Sequence, residues 1–78
     1  MSRNLTKRDG MTFKKLRKVN GFDNQQELAN HLNIARTTIS MWENGISYPS
    51  VPTIYKLAKV LNVTPEEVFK SLPVIGVN

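Results

Sequence analysis

No cysteine occurs among the 78 residues, which excludes disulfides, thiolate metal sites and cysteine nucleophiles together. That absence fits a reducing, cytoplasmic compartment. Long hydrophobic runs are missing too. The longest nearly unbroken apolar stretch, Leu72 to Val77, falls far short of the ~20 residues that span a bilayer, so no membrane segment is expected. The N-terminus carries Arg3, Lys7 and Arg8 but no apolar run follows them, so no secretory signal is expected either. His31 is the sole histidine, without a carboxylate at ligand spacing, and no glycine-rich phosphate loop is present. Neither a metal nor a cofactor is expected. Glu66 and Glu67 stand side by side but serve a helix start, and no nucleophile accompanies them, so an enzyme is not expected.

What is present suits one small domain. A second core would leave each too short to fold. A chain of this size buries only about 60% of its unfolded surface, and such a core rarely supplies more than ~3–5 kcal/mol unaided. A partner subunit can add to that. At 40% hydrophobic and 22% charged residues the chain is globular rather than disordered. The formal charge is +5, which points to a polyanionic partner or to a solvated basic face. Its distribution is uneven: residues 1–20 hold seven bases and one acid, net +6, whereas 21–50 come to −2 and 51–78 to +1.

Residues 1–10 are polar, basic and aperiodic, and read as a flexible arm. From Thr12, a plausible N-cap, Phe13, Leu16 and Val19 recur at helical spacing until Asn20-Gly21. Asn24 opens a second helix with Glu27 three residues on, in the manner of a capping box, and Leu28, Ala29 and Leu32 form its buried stripe. Asn33 then suits a tight left-handed turn. A third helix over Ala35 to Asn44 places Thr38, Ile39 and Trp42 on one side, and Gly45 stops it. After a loop at Ile46 to Pro49, Ser50 caps a fourth helix with Ile54, Leu57, Ala58 and Leu61 facing inward. Thr64-Pro65-Glu66-Glu67 opens a fifth that runs to about Leu72. No alternating strand pattern or repeat appears, so the fold class is all-α: an arm over 1–10, a domain over 11–72 and an apolar tail over 73–78. Trp42 belongs to the core, and Phe13, Phe22, Tyr55 and Phe69 are core or interface residues. His31 is a surface residue.

The second and third helices, joined within a few residues around Asn33, build a helix-turn-helix: one helix braces while the next projects polar side chains from a stiff corner. At this point the sequence resembles the Cro and lambda-repressor-like helix-turn-helix proteins, the XRE family, from about Phe13 to Leu72. The residues that carry the resemblance are Leu16-Arg17, Asn24-Gln25-Gln26-Glu27-Leu28-Ala29, the run Arg36 to Gly45, Pro49-Ser50, and Ile54, Leu57, Ala58, Leu61 and Val63.

The resemblance implies a compact five-helix domain whose third helix lies in the major groove of double-stranded DNA, with two copies on a palindromic site. On that basis Arg36, Thr37, Ser40 and Met41 read base edges, Arg36 foremost because a guanidinium can bond guanine O6 and N7 together. Asn24 and Gln25 rest on a phosphate at the start of the second helix, while Asn44, Thr38 and the Tyr48 hydroxyl grip the backbone on the other side. Arg17 and Glu43 match a structural pair, with Arg17 also free to lean toward phosphate. Ala35 departs from the Ser or Thr often found there, and Asn33 from the commoner Gly. The arm residues Arg3, Lys7 and Arg8 either follow the DNA backbone or a minor groove, or remain an unbound tail.

The apolar tail packs either on its own core or across a two-fold axis on a second subunit, with a homodimer favoured. The resulting expectation is a sequence-specific transcriptional repressor binding an inverted-repeat operator. Two alternatives stay open: a restriction-system controller or antitoxin built on the same helices, and a protein-interaction module that has lost DNA binding.

Overall fold

Thr12, Asn24, Ser50 and Thr64 each hold an extended backbone and accept, through the side-chain oxygen, a hydrogen bond from the amide three residues on. These caps start four of the five helices in a computed structural model of the chain, which describes residues 11–73. The helices are α1 Phe13–Val19, α2 Gln25–Leu32, α3 Arg36–Glu43, α4 Val51–Leu61 and α5 Pro65–Ser71, and no strand occurs among the described residues. At α5 the capping box is complete, because the Glu67 side chain also accepts from the Thr64 amide. At α2 the Asn24 half of the expected box is formed. The proposed arm contacts Arg3, Lys7 and Arg8, and residues 74–78 of the tail, lie outside the described residues.

The exception is α3. Ala35 occupies its N-cap position with extended dihedrals and no side-chain hydrogen bond. Since the backbone there is already that of a cap (φ −75°, ψ 145°), Ala35→Ser should stabilise the domain by about 1 kcal/mol. A thermal unfolding curve checks this, and an unchanged or lowered midpoint would mean that the serine oxygen does not reach the amides of α3.

The corner between α2 and α3 comes from one residue. Asn33 sits in the left-handed region at φ 60° and ψ 46°, a conformation that Asn tolerates better than other side-chain-bearing residues. Its amide donates to the Asn30 carbonyl, while that of Ile34 donates to Ala29 at 3.0 Å. This is a Schellman termination. It stops α2 at Leu32 and redirects the chain within three residues into α3. Ala29, fully buried, lets the two helices approach closely. Gly45 ends α3 likewise at φ 71°, and a Cβ there would meet Pro73 at 3.2 Å, so both conformation and space call for glycine.

One core runs through the bundle: Phe13 and Leu16 of α1, Leu28, Ala29 and Leu32 of α2, Ile39 and Trp42 of α3, Leu57, Ala58 and Leu61 of α4, and Val68 with Leu72 at the C-terminal end. Trp42 is 4% exposed and meets Phe13 edge-on at a centroid distance of 6.2 Å, which confirms it as packing. Two expectations are corrected, those for Val19 and Arg17. Val19 is 59% exposed, not part of the inward stripe. Of the residues read as core or interface, Tyr55 and Phe69 are exposed, which leaves the interface alternative. Arg17 is 2% exposed, so it cannot lean toward a phosphate. Its buried charge is met within the fold.

Candidate nucleic-acid interface

With side chains about 100° apart around a helix, Arg36, Thr37, Ser40, Met41 and Asn44 fall on one side of α3, opposite Ile39 and Trp42. Burial agrees: Arg36, Thr37, Met41 and Asn44 are exposed and Ser40 is half-buried, whereas Ile39 and Trp42 are buried. The four residues expected to face bases therefore share one surface. Asn44 sits at its far end, where the amide donates to the Ser40 carbonyl at 2.9 Å. Thr38 lies off this face and is half-buried. Tyr48 is directed elsewhere: its hydroxyl donates to the Pro73 carbonyl and its ring meets Phe69 edge-on.

Two shallow hollows adjoin that surface. One is lined by Lys14, Lys18, Asn24, Gln25, Gln26 and Arg36, with Asp23 at its edge and Arg17 beneath. The other brings Lys14, Gln25 and Asn44 together beside Thr12 and Glu43. Asn24, Gln25 and Asn44, far apart in sequence, thus border one continuous polar surface with Arg36. The N-terminus of α2 opens onto it, and the backbone amides of a helix's first turn favour anions. Lys14 and Lys18 are residues that sequence reasoning left unassigned. They are one turn apart on α1, and the basic excess of residues 1–20 was the available signal. Their placement beside α2 is a tertiary fact.

Beneath the surface runs a chain of polar contacts. Arg17 donates through Nε to Glu43 Oε2 at 2.8 Å and through Nη1 to the Phe22 carbonyl at 2.8 Å. The side chains of Arg17 and Glu43 are only 2% and 7% exposed, so this pair ties α1 to the end of α3 as the family pattern implied. Glu43 Oε1 accepts from Gln25 Nε2 at 2.9 Å, and Gln25 Oε1 accepts from Arg36 Nη1 at 3.0 Å.

A further, more enclosed hollow lies elsewhere, between α1 and α5, lined by Met11, Leu16, Val19 and Val63. Its polar rim is engaged in helix structure: Lys70 pairs with Glu66, and Glu67 caps α5. No group of His, Cys, Asp or Glu able to hold a metal occurs among the described residues. None of the described helices is long and apolar enough to cross a membrane.

Comparison with known proteins agrees with the fold. A helix-turn-helix family model matches residues 13–68. The HTH-type transcriptional activator BcrR of Enterococcus faecalis is 40% identical over 43 residues, covering 55% of this chain and 21% of that protein. An uncharacterised HTH-type transcriptional regulator of Archaeoglobus fulgidus is 40% identical over 45 residues, covering 58% of this chain and 63% of that protein. The chain thus spans about a fifth of one curated relative and under two thirds of the other. No solved structure matches at the same level of significance.

Proposed function

The chain belongs to the helix-turn-helix family, and we propose that it is a sequence-specific DNA-binding transcription regulator that acts as a pair of copies on an inverted repeat. The observation that carries this reading is the exposed face of α3, with Arg36 at the α2–α3 corner and Lys14, Lys18 and the start of α2 alongside. Such a surface offers base-reading donors at its centre and cations and amides at its margin, which is the division of labour that a duplex requires. In this reading Arg36, Thr37, Ser40 and Met41 meet base edges in the major groove. Asn24, Gln25, Asn44, Lys14 and Lys18 meet phosphates, and Thr38 and Tyr48 stand at the periphery.

Exposed apolar side chains support pairing. Val51 and Tyr55, one turn apart on α4, are 65% and 60% exposed, and Ile46 and Phe69 add further apolar surface. Covering such residues with a second copy removes them from water and doubles the contacts to DNA. Half-sites about 34–36 Å apart would then lie on one face of the duplex. Repression by occlusion needs only occupancy of a promoter, and on that ground the chain is read as a repressor. The Enterococcus relative, named as an activator, carries a similar segment within a longer protein.

Selection of sites from a random duplex pool tests the reading. An enriched inverted repeat is expected. Arg36→Ala should then lose about 1–3 kcal/mol of discrimination per copy, roughly 5- to 150-fold at each half-site of the enriched repeat. Binding to random duplex should change little. Failure to enrich any motif would refute the proposal, and equal losses on both duplexes would reassign Arg36 to phosphate.

A further inference from the structure

We propose that Asn44-Gly45 is a site of spontaneous deamidation, by which a copy that is not on DNA exchanges an amide at the edge of the α3 face for a carboxylate. The effect on binding rests on the DNA-binding reading above, whereas the chemistry does not. Glycine follows asparagine at two places, Asn20-Gly21 and Asn44-Gly45, and both asparagines are C-cap residues, of α1 and α3. Without a Cβ, the glycine amide can approach the asparagine carboxamide carbon unhindered. Hydroxide takes the Gly45 amide proton, the nitrogen bonds to Asn44 Cγ, and the Cγ–Nδ2 bond breaks, its nitrogen leaving as ammonia with a proton from water. Water then opens the five-membered imide at either carbonyl. One opening yields aspartate, and the other yields isoaspartate, in which the backbone runs through Cγ. Amide and water become acid and ammonia, with nothing oxidised or reduced.

Two restraints oppose the reaction, and both sit in the last turn of α3. Asn44 Nδ2 donates to the Ser40 carbonyl at 2.9 Å and to Ser40 Oγ at 3.3 Å, which ties the carboxamide back over the helix. The Gly45 amide donates to the Trp42 carbonyl at 3.3 Å, a long bond. Asn44 is exposed and helix ends fray first, so both restraints are lost together whenever this turn opens. Asn20 supplies an internal comparison. Its Nδ2 donates to the Leu16 carbonyl at 2.8 Å, it is half-buried, and it borders the hollow between α1 and α5 rather than the α3 face.

The product differs from Asn44 in three respects. A carboxylate cannot donate to the Ser40 carbonyl. It lies at the negative end of α3. It also faces the phosphates that Asn44 would meet, and two like charges about 4 Å apart weaken binding about fivefold per copy even at the dielectric of water. Isoaspartate further inserts a backbone carbon before Gly45, where a Cβ would already meet Pro73 at 3.2 Å. On a duplex, Asn44 held against phosphate keeps the turn closed, so conversion falls on the unbound copies.

The full chain is incubated in warm neutral buffer with and without the duplex that it selects, and each asparagine is followed by peptide mass spectrometry. Free protein should accumulate acid at Asn44 faster than at Asn20. Duplex at a free concentration of about 100 times Kd should slow Asn44 about 100-fold, in proportion to the unbound fraction, with much less effect at Asn20. Converted protein, separated by charge, should bind the selected duplex at least about fivefold more weakly per copy, and Asn44→Asp should reproduce that loss. An Asn44 that stays intact in the folded chain yet converts in urea would show that α3 keeps the site shut, and would overturn the proposal. Equal protection of both asparagines by duplex, or conversion without loss of affinity, would overturn its link to binding. If fresh protein enriches no duplex at all, the DNA-binding reading fails and that link with it, while conversion at Asn44 is still read on its own.

Discussion

Arg17→Met is expected to destabilise the folded domain by about 3–5 kcal/mol, because it leaves the Glu43 carboxylate buried without its counter-charge. The guanidinium is 2% exposed and Glu43 7%, so water cannot take over the lost interaction. Gln25 remains as a neutral donor to Glu43, and the Phe22 carbonyl loses the donor that Arg17 supplied. A core of this size supplies only ~3–5 kcal/mol of net stability. The single variant should therefore be largely unfolded at ambient temperature, as denaturant titration would reveal. Arg17→Met combined with Glu43→Leu removes both charges and should recover most of the loss, since paired apolar replacements of buried ion pairs are often neutral or better. A single variant as stable as the unmodified chain would show that the pair is not what joins α1 to α3.

The second large effect is ionic. Lys14 and Lys18 border the hollow beside Arg36. If each neutralises one phosphate, a pair of copies neutralises about four, and the affinity should fall with a log–log salt slope of about −3.6. Between 50 and 200 mM salt that is a loss of roughly 150-fold. The double variant Lys14→Ala, Lys18→Ala should flatten the slope and weaken binding to all duplexes by the same factor, since phosphate contacts carry no sequence information. Titration of a fluorescent duplex at several salt concentrations measures both. A slope that the lysine variants leave untouched would place the phosphates on another surface.

Much of the fold could be read from local chemistry. Thr12, Asn24, Ser50 and Thr64 mark helix starts because their short side chains satisfy the first amides. Asn33 and Asn62 mark helix ends because both take the left-handed conformation. Val19 was misplaced for a geometric reason. Steps of three residues fall about 60° short of a full turn, so from Phe13 through Leu16 to Val19 the stripe drifts off the buried side. The buried position one turn on from Phe13 belongs to Arg17, whose charge hides it from a hydrophobic pattern. Tyr55 and Phe69 carried apolar character but no information about whether their own domain would cover them.

The candidate site was legible where it lies within one helix. Arg36, Thr37, Ser40 and Met41 follow from the period of α3 and the burial of Ile39 and Trp42. Lys14 and Lys18 were not legible as site residues, because only the docking of α1 against α3 and α5 brings them beside the start of α2. The bond between Gln25 and Arg36 spans the corner at Asn33, eleven residues apart. No periodicity reports a contact that depends on how sharply two helices turn.

Isotope-labelled protein titrated with a duplex that it has itself selected, and followed by amide and side-chain NMR shifts, addresses the central claim most directly. The largest changes should fall on Arg36, Thr37, Ser40 and Met41 and on the first turn of α2, with smaller ones at Lys14, Lys18 and Asn44. Shifts concentrated on Glu66, Lys70 and the hollow between α1 and α5, with Arg36 unmoved, would contradict the assignment of α3 as the element that reads DNA.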